Sequence, residues 1–531
     1  LRGAKQTQLL ATAVLFAAVV FAFVPTFLAI VVWVAIAWTI GGIIARVNVR
    51  QAIAIGRVVL AMVVGALVLN APWVSQFADS KWMDHFVGVQ AASMQRVGLV
   101  QLARFDGGLL RFGIIALGLY IPVFVSVVVT RSTTFIWATR SLSLVVFTGV
   151  LIVAIDANVL NIAAPSLGQL LAIVACGIAL GAGALASFVF DDELTLAYRW
   201  WKPIVSFAVA VSFVGALPAV SMAVGGSWNQ SKTAIADLYT QLQANPPEGD
   251  YNVVYVGRSE ALPISAMRVT DEVAFAVADD GELTMRDRWV KPNGLSSNVE
   301  SALHAIIWRE TVRGGRLLAP LAIRYVVIPQ IDGGESTIDK PLPLPEGLLA
   351  ALSTQLDFRR VYLASDLVIY ENMAWVPSLS VLDENSSALS KQAGDEVLLS
   401  SVLQSTMPIA RVDDVSSVPT EVGASTVYLA VPFSDRLRLE VAGADVLPRI
   451  AFGGTTAFDV SDGGSATLHY STPISQYFFV LVQSLLWLLV MLAVFDIGRI
   501  KRRLSIARKR EVIVIGDQDS PAFSFSTGGD Q

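Results

Sequence analysis

Gln476-Tyr-Phe-Phe-Val-Leu-Val-Gln-Ser-Leu-Leu-Trp-Leu-Leu-Val-Met-Leu-Ala-Val-Phe-Asp-Ile497 is followed at once by Arg499, Lys501, Arg502, Arg503, Arg508, Lys509 and Arg510. An apolar run of roughly 20 residues is long enough to cross the hydrocarbon core of a bilayer, and a dense basic cluster beside it is held on the cytoplasmic side. The C-terminus is therefore expected inside. Read backwards from that anchor, the roughly 250 mostly polar residues before Gln476 lie outside the membrane. The hydrophobic first ~225 residues deliver the chain there.

Composition agrees with such a division. The 531 residues are 54% hydrophobic and only 15% charged, with a mean hydropathy of +0.61. That is too apolar for a soluble protein and too polar for membrane throughout. The net charge of −5 gives no footing for nucleic acid, so the basic tail reads as a topology signal that also suits anionic lipid. A single cysteine, Cys176, lies inside an apolar run, which excludes an intrachain disulfide or a multi-cysteine metal site. The chain opens on Leu1, with Arg2 and Lys5 ahead of a long apolar run and no small-residue cleavage site. It reads as a fragment whose N-terminal part lies upstream.

Seven apolar segments precede the polar region: about Leu9 to Val24, Thr26 to Ala45, Ile53 to Asn70, Leu110 to Thr130, Ile136 to Ile155, Leu167 to Phe190 and Pro203 to Val224. With the final run the expected fold is a polytopic α-helical membrane protein of about eight transmembrane helices. Loops holding Arg46, Arg50 and Arg57, then Arg131 and Arg140, then Arg199 and Lys202 would face the cytoplasm, giving an N-in, C-in arrangement in a plasma membrane. The loop from Ala71 to Gly108 is near neutral, and its Trp73 and Trp82 suit the membrane interface. Phe86 to Leu102 carries apolar residues at helical spacing, as an interfacial amphipathic helix does.

From Trp228 the pattern turns to soluble α/β. Lys232 to Ala244 reads as a helix, Tyr251 to Val256 and Ile323 to Ile328 as buried strands, and Val299 to Arg313 and Gly347 to Leu356 as helices. Arg359 to Leu363 and Leu367 to Glu371 form a hairpin-like pair. Beyond Pro377 helical periodicity fades, and short β-like runs recur at Thr426 to Val431, Leu437 to Val441, Ala457 to Val460 and Ala466 to Tyr470. Glycines between them suggest a small β-sandwich. The polar stretch Asp383 to Asp395 reads as the exposed connection where a protease cuts first. The expected division is a seven-span domain over 1–227, an extracytoplasmic α/β domain over 228–375 and a β-sandwich over 376–474. A last transmembrane helix over 475–499 and a basic, disordered tail over 500–531 complete it.

Arg316-Leu-Leu-Ala-Pro-Leu-Ala-Ile-Arg-Tyr-Val-Val-Ile-Pro329, then Leu349 to Leu356 and Asp366-Leu-Val-Ile-Tyr-Glu-Asn-Met-Ala-Trp375, resemble the extracytoplasmic part of large actinobacterial membrane proteins identified as family 2 glycosyltransferases. Leu102-Ala-Arg-Phe-Asp-Gly-Gly108, Trp137 with Arg140, the loop Asp192 to Trp201 and Tyr470-Ser-Thr-Pro473 are similar to the same proteins. The likeness covers most of the chain, in order, through short motifs. It implies an upstream cytoplasmic nucleotide-sugar domain, and any divalent metal would belong to that domain's D-x-D pair. No cofactor is expected in this chain. Asp191-Asp192-Glu193 is acidic and cytoplasmic but lacks the strand that such a pair sits on. The implied partners are the bilayer and a polyprenyl-linked sugar or cell-wall glycan.

A transferase working from a lipid-linked sugar needs a carboxylate base in an outside loop near the bilayer surface. Asp84 and Asp106 are the candidates in the loop from Ala71 to Gly108, with His85 and Arg104 beside them as substrate-binding candidates. The plainer reading is that a carboxylate spaced two residues from an arginine fixes the loop. His304 and His469 stand alone in sequence, without metal-ligand spacing, so no metal site is expected. Glu371-Asn372 reads first as a turn former and second as a ligand contact. No G-x-S-x-G or G-x-G-x-x-G is present. Two readings follow: the membrane part of a cell-envelope glycosyltransferase, or a non-catalytic anchor that binds or guides glycan. A lipid or glycan transporter is a third, less favoured reading; ionisable residues near span ends argue against an ion-coupled pump, though not against a lipid-handling groove.

Overall fold

A computed structural model describes residues 2–74, 103, 113–156, 167–189, 201–225, 249–259, 261–262, 266–270, 272–279, 294–331, 341–363, 367–409 and 420–495. The expected helices at Phe86 to Leu102 and Lys232 to Ala244, and the basic tail, lie outside these residues. Among the described residues six helices are long and apolar enough to cross a membrane: Gln6–Phe23, Phe27–Ile44, Val49–Leu69, Thr133–Ile155, Gly168–Ser187 and Ile474–Phe495. Ile114–Val129 and Pro203–Leu217 are shorter apolar stretches. The chain is a membrane-embedded protein with β-sheets in its C-terminal part.

The helices fall into two compact units. In the first, α1 (Arg2–Phe23) and α3 (Val49–Leu69) run the same way and the final helix (Ile474–Phe495) runs opposite to them. Apolar faces give helices no reason to associate in lipid, so polar side chains and close contacts hold them. Gln8 Nε2 donates to Val494 O at 2.8 Å, and Asn70 Nδ2 donates to Ala18 O at 3.2 Å. Helix α3 ends with carbonyls that lack intrahelical donors. Gln483 Nε2 and Trp487 Nε1, one turn apart on the final helix, both donate to Leu69 O, at 2.9 and 3.0 Å. Each such bond contributes on the order of 0.6 kcal/mol in lipid, so the set holds the trio rather than any one member. Phe478, Leu481 and Leu489 of the final helix are exposed, as lipid-facing residues are.

The second unit contains α2 (Phe27–Ile44), α4 (Ile121–Val129), α5 (Ser132–Asp156), α6 (Leu167–Val189) and α7 (Trp201–Gly225). Small residues let their backbones approach. Ser143 Oγ donates to Ala37 O at 2.5 Å and Ser141 Oγ to Gly177 O at 2.6 Å. A side chain on Gly181 would come within 3.0 Å of Val123 Cα. Thr26 Oγ1 meets Gln169 Oε1 at 3.0 Å, so α2 and α6 start side by side, with α5 antiparallel to both. The expected single span from Leu110 to Thr130 is instead a 3-10 helix, Gly113–Tyr120, joined to α4. Pro122 in the first turn of α4 has no N–H to bond back to that preceding turn.

Outside the helices, a six-stranded sheet has the order β2-β3-β1-β4-β6-β5. Its strands are β1 (Asn252–Gly257), β2 (Met267–Arg268), β3 (Ala274–Asp279), β4 (Ile323–Pro329), β5 (Phe358–Leu363) and β6 (Leu367–Asn372). Strands β1 and β4 are parallel and the other pairs antiparallel. One face packs Val254, Val256, Phe275 and Ile328 against Leu303 and Ile306 of α8 (Gly294–Ile307) and Leu318 of α9 (Gly314–Leu318). Tyr251, Val253, Tyr255, Tyr325 and Val327 form a second core on the other face. A sheet buried on both faces requires unbroken apolar runs, which is why Val253 to Val256 and Tyr325 to Ile328 show no alternation.

From Leu379 the chain forms two antiparallel sheets. Five strands are ordered β13-β14-β10-β7-β8 and four are ordered β12-β11-β15-β9. These are β7 (Leu379–Leu382), β8 (Ser405–Pro408), β9 (Thr420–Val422), β10 (Ser425–Pro432), β11 (Leu437–Val441), β12 (Ala444–Val446), β13 (Pro448–Ala451), β14 (Thr455–Val460) and β15 (Gly464–Tyr470). Val427, Leu429, Leu439, Val441, Phe458 and Leu468 fill the space between them. The opposite face of the five-stranded sheet joins the core of the first sheet through Tyr428, Ala430 and Ala457. The fully buried Tyr428 donates its hydroxyl to Pro320 O.

On β14, Asp459 accepts two hydrogen bonds from Arg449, at 2.8 and 2.9 Å, and one from Thr426 Oγ1 at 2.9 Å. The Arg449 bonds hold its carboxyl below the usual value, against partial burial, with help from Thr426 and Lys391. A depressed folded-state pKa stabilises above the unfolded value, about pH 4, and that contribution is lost as pH falls through the folded value. Melting temperature measured from pH 6 to pH 3 should therefore drop less steeply in Asp459→Asn than in the parent. Parallel curves would show that this pair has no bearing on acid stability.

Candidate functional site

Asp84, His85, Arg104 and Asp106, and the acidic run Asp191 to Glu193, lie outside the described residues. Three other clusters gather chemistry-bearing side chains within them.

The first is in the helix bundle. Arg140, on α5, is only 6% exposed. Its guanidinium lies 4.8 Å from the ring of Trp38 on α2 and 5.8 Å from that of Trp137, one turn earlier on α5. The two rings meet edge to face at 5.5 Å. Gly41 brings the backbones together here, since a side chain on it would reach 2.6 Å from Arg140 Cα. Gly42 faces the donor edge without a side chain: a Cβ there would stand 3.7 Å from Nη2 and 3.9 Å from Nε. Arg140 Nε is buried without a hydrogen-bond partner. Among the described residues no carboxylate lies within ion-pair distance of the guanidinium. Arginine keeps its proton in proteins, so this group binds anions rather than transferring protons. From the sequence Arg140 reads as a residue snorkelling at a span end; its tryptophan clasp depends on α2, about 100 residues away, which no local signal reveals.

The second cluster lies on the six-stranded sheet. Arg324 stacks near Trp375 at 4.6 Å, Tyr325 at 5.3 Å and Tyr251 at 5.5 Å. Glu371 bridges Arg324 at 3.4 Å and Arg359 at 2.5 Å. Burial pushes the Tyr325 hydroxyl above its usual value, and Arg324 opposes that shift. Asn372, the other half of the pair read as a turn former, is fully buried. Its amide donates to Gly315 O and Ile323 O, both at 2.9 Å, and accepts from Ala374 N at 3.0 Å. With those bonds made internally, Asn372 serves the core.

The third cluster is on the four-stranded sheet. Ligand atoms of Glu440, Asp445 and His469 lie within 4.8 Å of one another, and all three residues are exposed. Register creates the group: Asp445 pairs opposite Glu440, and His469 lies opposite Arg438, two residues along the same strand. Arg438 turns its guanidinium to the carbonyls of Asp435 and Leu437. One imidazole and two carboxylates are suitable donors for a divalent cation. His469, isolated in sequence, gains these neighbours only through strand pairing. His304 instead lies 3.8 Å from Glu310, against the Trp308 ring.

Comparison of the chain with protein-family models, with curated proteins and with solved structures finds no match.

Proposed function

We propose that this chain is the membrane and extracytoplasmic portion of a cell-envelope glycosyltransferase that handles a polyprenyl-linked or polysaccharide acceptor. The observation that carries the reading is a guanidinium buried inside a membrane helix, at Arg140, in a chain that also builds a large folded sheet region. An intramembrane ionisable group marks a functional position by default. The short motifs that resemble those of family 2 transferase-type membrane proteins suit the same reading. In this reading the chain has eight spans, counting Ile114–Val129 and Pro203–Leu217 with the six longer helices, and both ends lie in the cytoplasm. The opposed run of the final helix against α1 and α3, and the alternation of α2, α5 and α6, support that arrangement.

The test is glycan composition in cells lacking the gene, with the full-length protein restored as parent, Asp84→Asn or Asp106→Asn. Loss of a glycan component together with accumulation of its lipid-linked precursor is expected, with parent protein restoring it. Unchanged glycan would sink the transferase reading. Among the variants, loss of several orders of magnitude in transfer would put the base in the loop from Ala71 to Gly108. Near-normal transfer in both would assign this chain to guiding glycan, with the chemistry carried elsewhere.

A further inference from the structure

We propose that Arg140 anchors the phosphate of a membrane lipid, a phosphomonoester or phosphodiester head drawn in beside α2 and α5. This deepens the reading above at the lipid-linked substrate, and it is tested by binding rather than by transfer.

Depth is the first support. Arg140 is seven residues beyond the start of the apolar span Thr133–Ile155, which at 1.5 Å per residue puts its Cα about 10 Å inside. Side chains on a helix lean toward its N-terminus. Trp137, one turn nearer that end, meets the guanidinium. The charged group thus sits about one turn inside the span boundary, close below the headgroup level where interfacial tryptophans are found. Exposed Arg46 and Arg131 flank the adjoining ends of α2 and α5. Their charge draws anionic lipid to this leaflet.

Chemistry is the second. A guanidinium presents five N–H donors in a planar fork that matches phosphate oxygens two at a time. The Trp38 and Trp137 rings attract the cation but accept none of those N–H groups as an anion would. Among the described residues the guanidinium has no counterion; a buried charge left so is costly, and phosphate supplies both the charge and the acceptors. Gly42 sets no side chain against the Nε and Nη2 edge. Access is the third support. Trp137 is 45% exposed, so the ring beside the guanidinium already faces the surrounding lipid, and an acyl or isoprenyl chain can lie against it while the head reaches Arg140. The competing role for Arg140 is to pin α2 to α5 through its two rings.

The full-length protein in phosphatidylcholine nanodiscs would be titrated with a fluorescent long-chain isoprenyl phosphate, with phosphatidylglycerol, and with inorganic phosphate as competitor. Arg140→Gln should weaken lipid binding roughly ten- to a hundredfold, the usual worth of hydrogen bonds to a charged group. Arg140→Lys should fall between the two, and Arg50→Gln, an exposed charge removed nearby, should change binding less than about twofold. Unchanged binding in Arg140→Gln, or an equal loss in Arg50→Gln, would overturn the site. Full competition by inorganic phosphate would overturn the lipid as its source. If Arg140→Gln does not fold, Trp137→Leu keeps the test open. Removing a half-exposed ring should leave the bundle intact yet weaken binding severalfold, and binding at the parental level would reject the proposal.

Discussion

Asn372→Ala is expected to lower the stability of the sheet region by about 3 kcal/mol, the sum of three buried hydrogen bonds at roughly 1 kcal/mol each. The partners are what make the position costly. Gly315 O and Ile323 O are backbone acceptors in the core, and alanine leaves both without the donor that Asn372 supplies. Gly315 belongs to α9, whose neighbour Gly314 N donates to Gln355 Oε1 at 2.8 Å. Gln355 in turn donates to Thr311 O and Ala351 O, at 3.0 and 3.2 Å. Two buried amides therefore fasten the start of α9 between the sheet and α10 (Leu348–Ser353). Asn372→Asp keeps the volume but turns two donors into acceptors facing carbonyls, so it should cost at least as much as alanine. Gly315→Ala should also be severe, because its Cβ would lie 2.5 Å from Asp357 Cβ and overlap the Asn372 side-chain oxygen. Thermal melting followed by tryptophan fluorescence would check all three. A shift under about 2 °C for Asn372→Asp would mean these bonds are worth little, given that 1 kcal/mol moves a domain of this size by about 2–4 °C.

Asn372 also marks where sequence reading stops. Glu371-Asn372 has the composition of a turn, and its position at the end of β6 was legible, but its acceptors lie 57 and 49 residues away. Elements whose apolar pattern is complete within themselves were readable. The run Leu437 to Val441 coincides with β11, and Ile323 to Ile328 falls one residue short of β4. The long apolar helices were readable for the same reason, since span length alone identifies them. What was missed depends on partners. Asp383 to Asp395 looks like an exposed connection, yet it contains α11 (Glu384–Ser390), capped by Asp383 through a 2.7 Å bond from Ser386 N. Serines favour caps and turns over helix interiors. Tertiary bonds, from Gln404 N to Ser386 Oγ and between the Ser387 and Thr426 hydroxyls, supply what propensity lacks. The cluster of Glu440, Asp445 and His469 likewise exists only in strand register, and the Arg140 clasp only in helix packing.

In the bundle, Gly41→Leu is expected to be the most damaging single change, lowering stability by about 3 kcal/mol. Two effects oppose each other at a helical glycine. Replacing it by alanine gains up to about 1 kcal/mol of helix propensity, whereas overpacking a close contact costs about 1–3 kcal/mol. The neighbouring atoms decide which wins. A Cβ at Gly41 would meet Arg140 Cα at 2.6 Å, Thr139 O at 2.9 Å and Arg140 N at 3.0 Å, all backbone, so no side chain can turn aside. Helices α2 and α5 must separate. That breaks the bond from Ser143 to Ala37 and draws Trp38 off the Arg140 guanidinium. Gly41→Ala should therefore be net destabilising and Gly41→Leu more so. At Gly56 nothing lies within 4 Å of the added Cβ, so propensity acts alone and Gly56→Ala should be neutral or stabilising. Gly42→Ala, with its nearest atom at 3.7 Å, should fall between them. Thermal stability of the purified protein in detergent, read as the fraction remaining monodisperse after heating, ranks the four variants. The expected order is Gly56→Ala, Gly42→Ala, Gly41→Ala, Gly41→Leu from most to least stable. A Gly41→Leu protein as stable as Gly56→Ala would show that α2 and α5 do not cross at this glycine, and the clasp around Arg140 would fall with it.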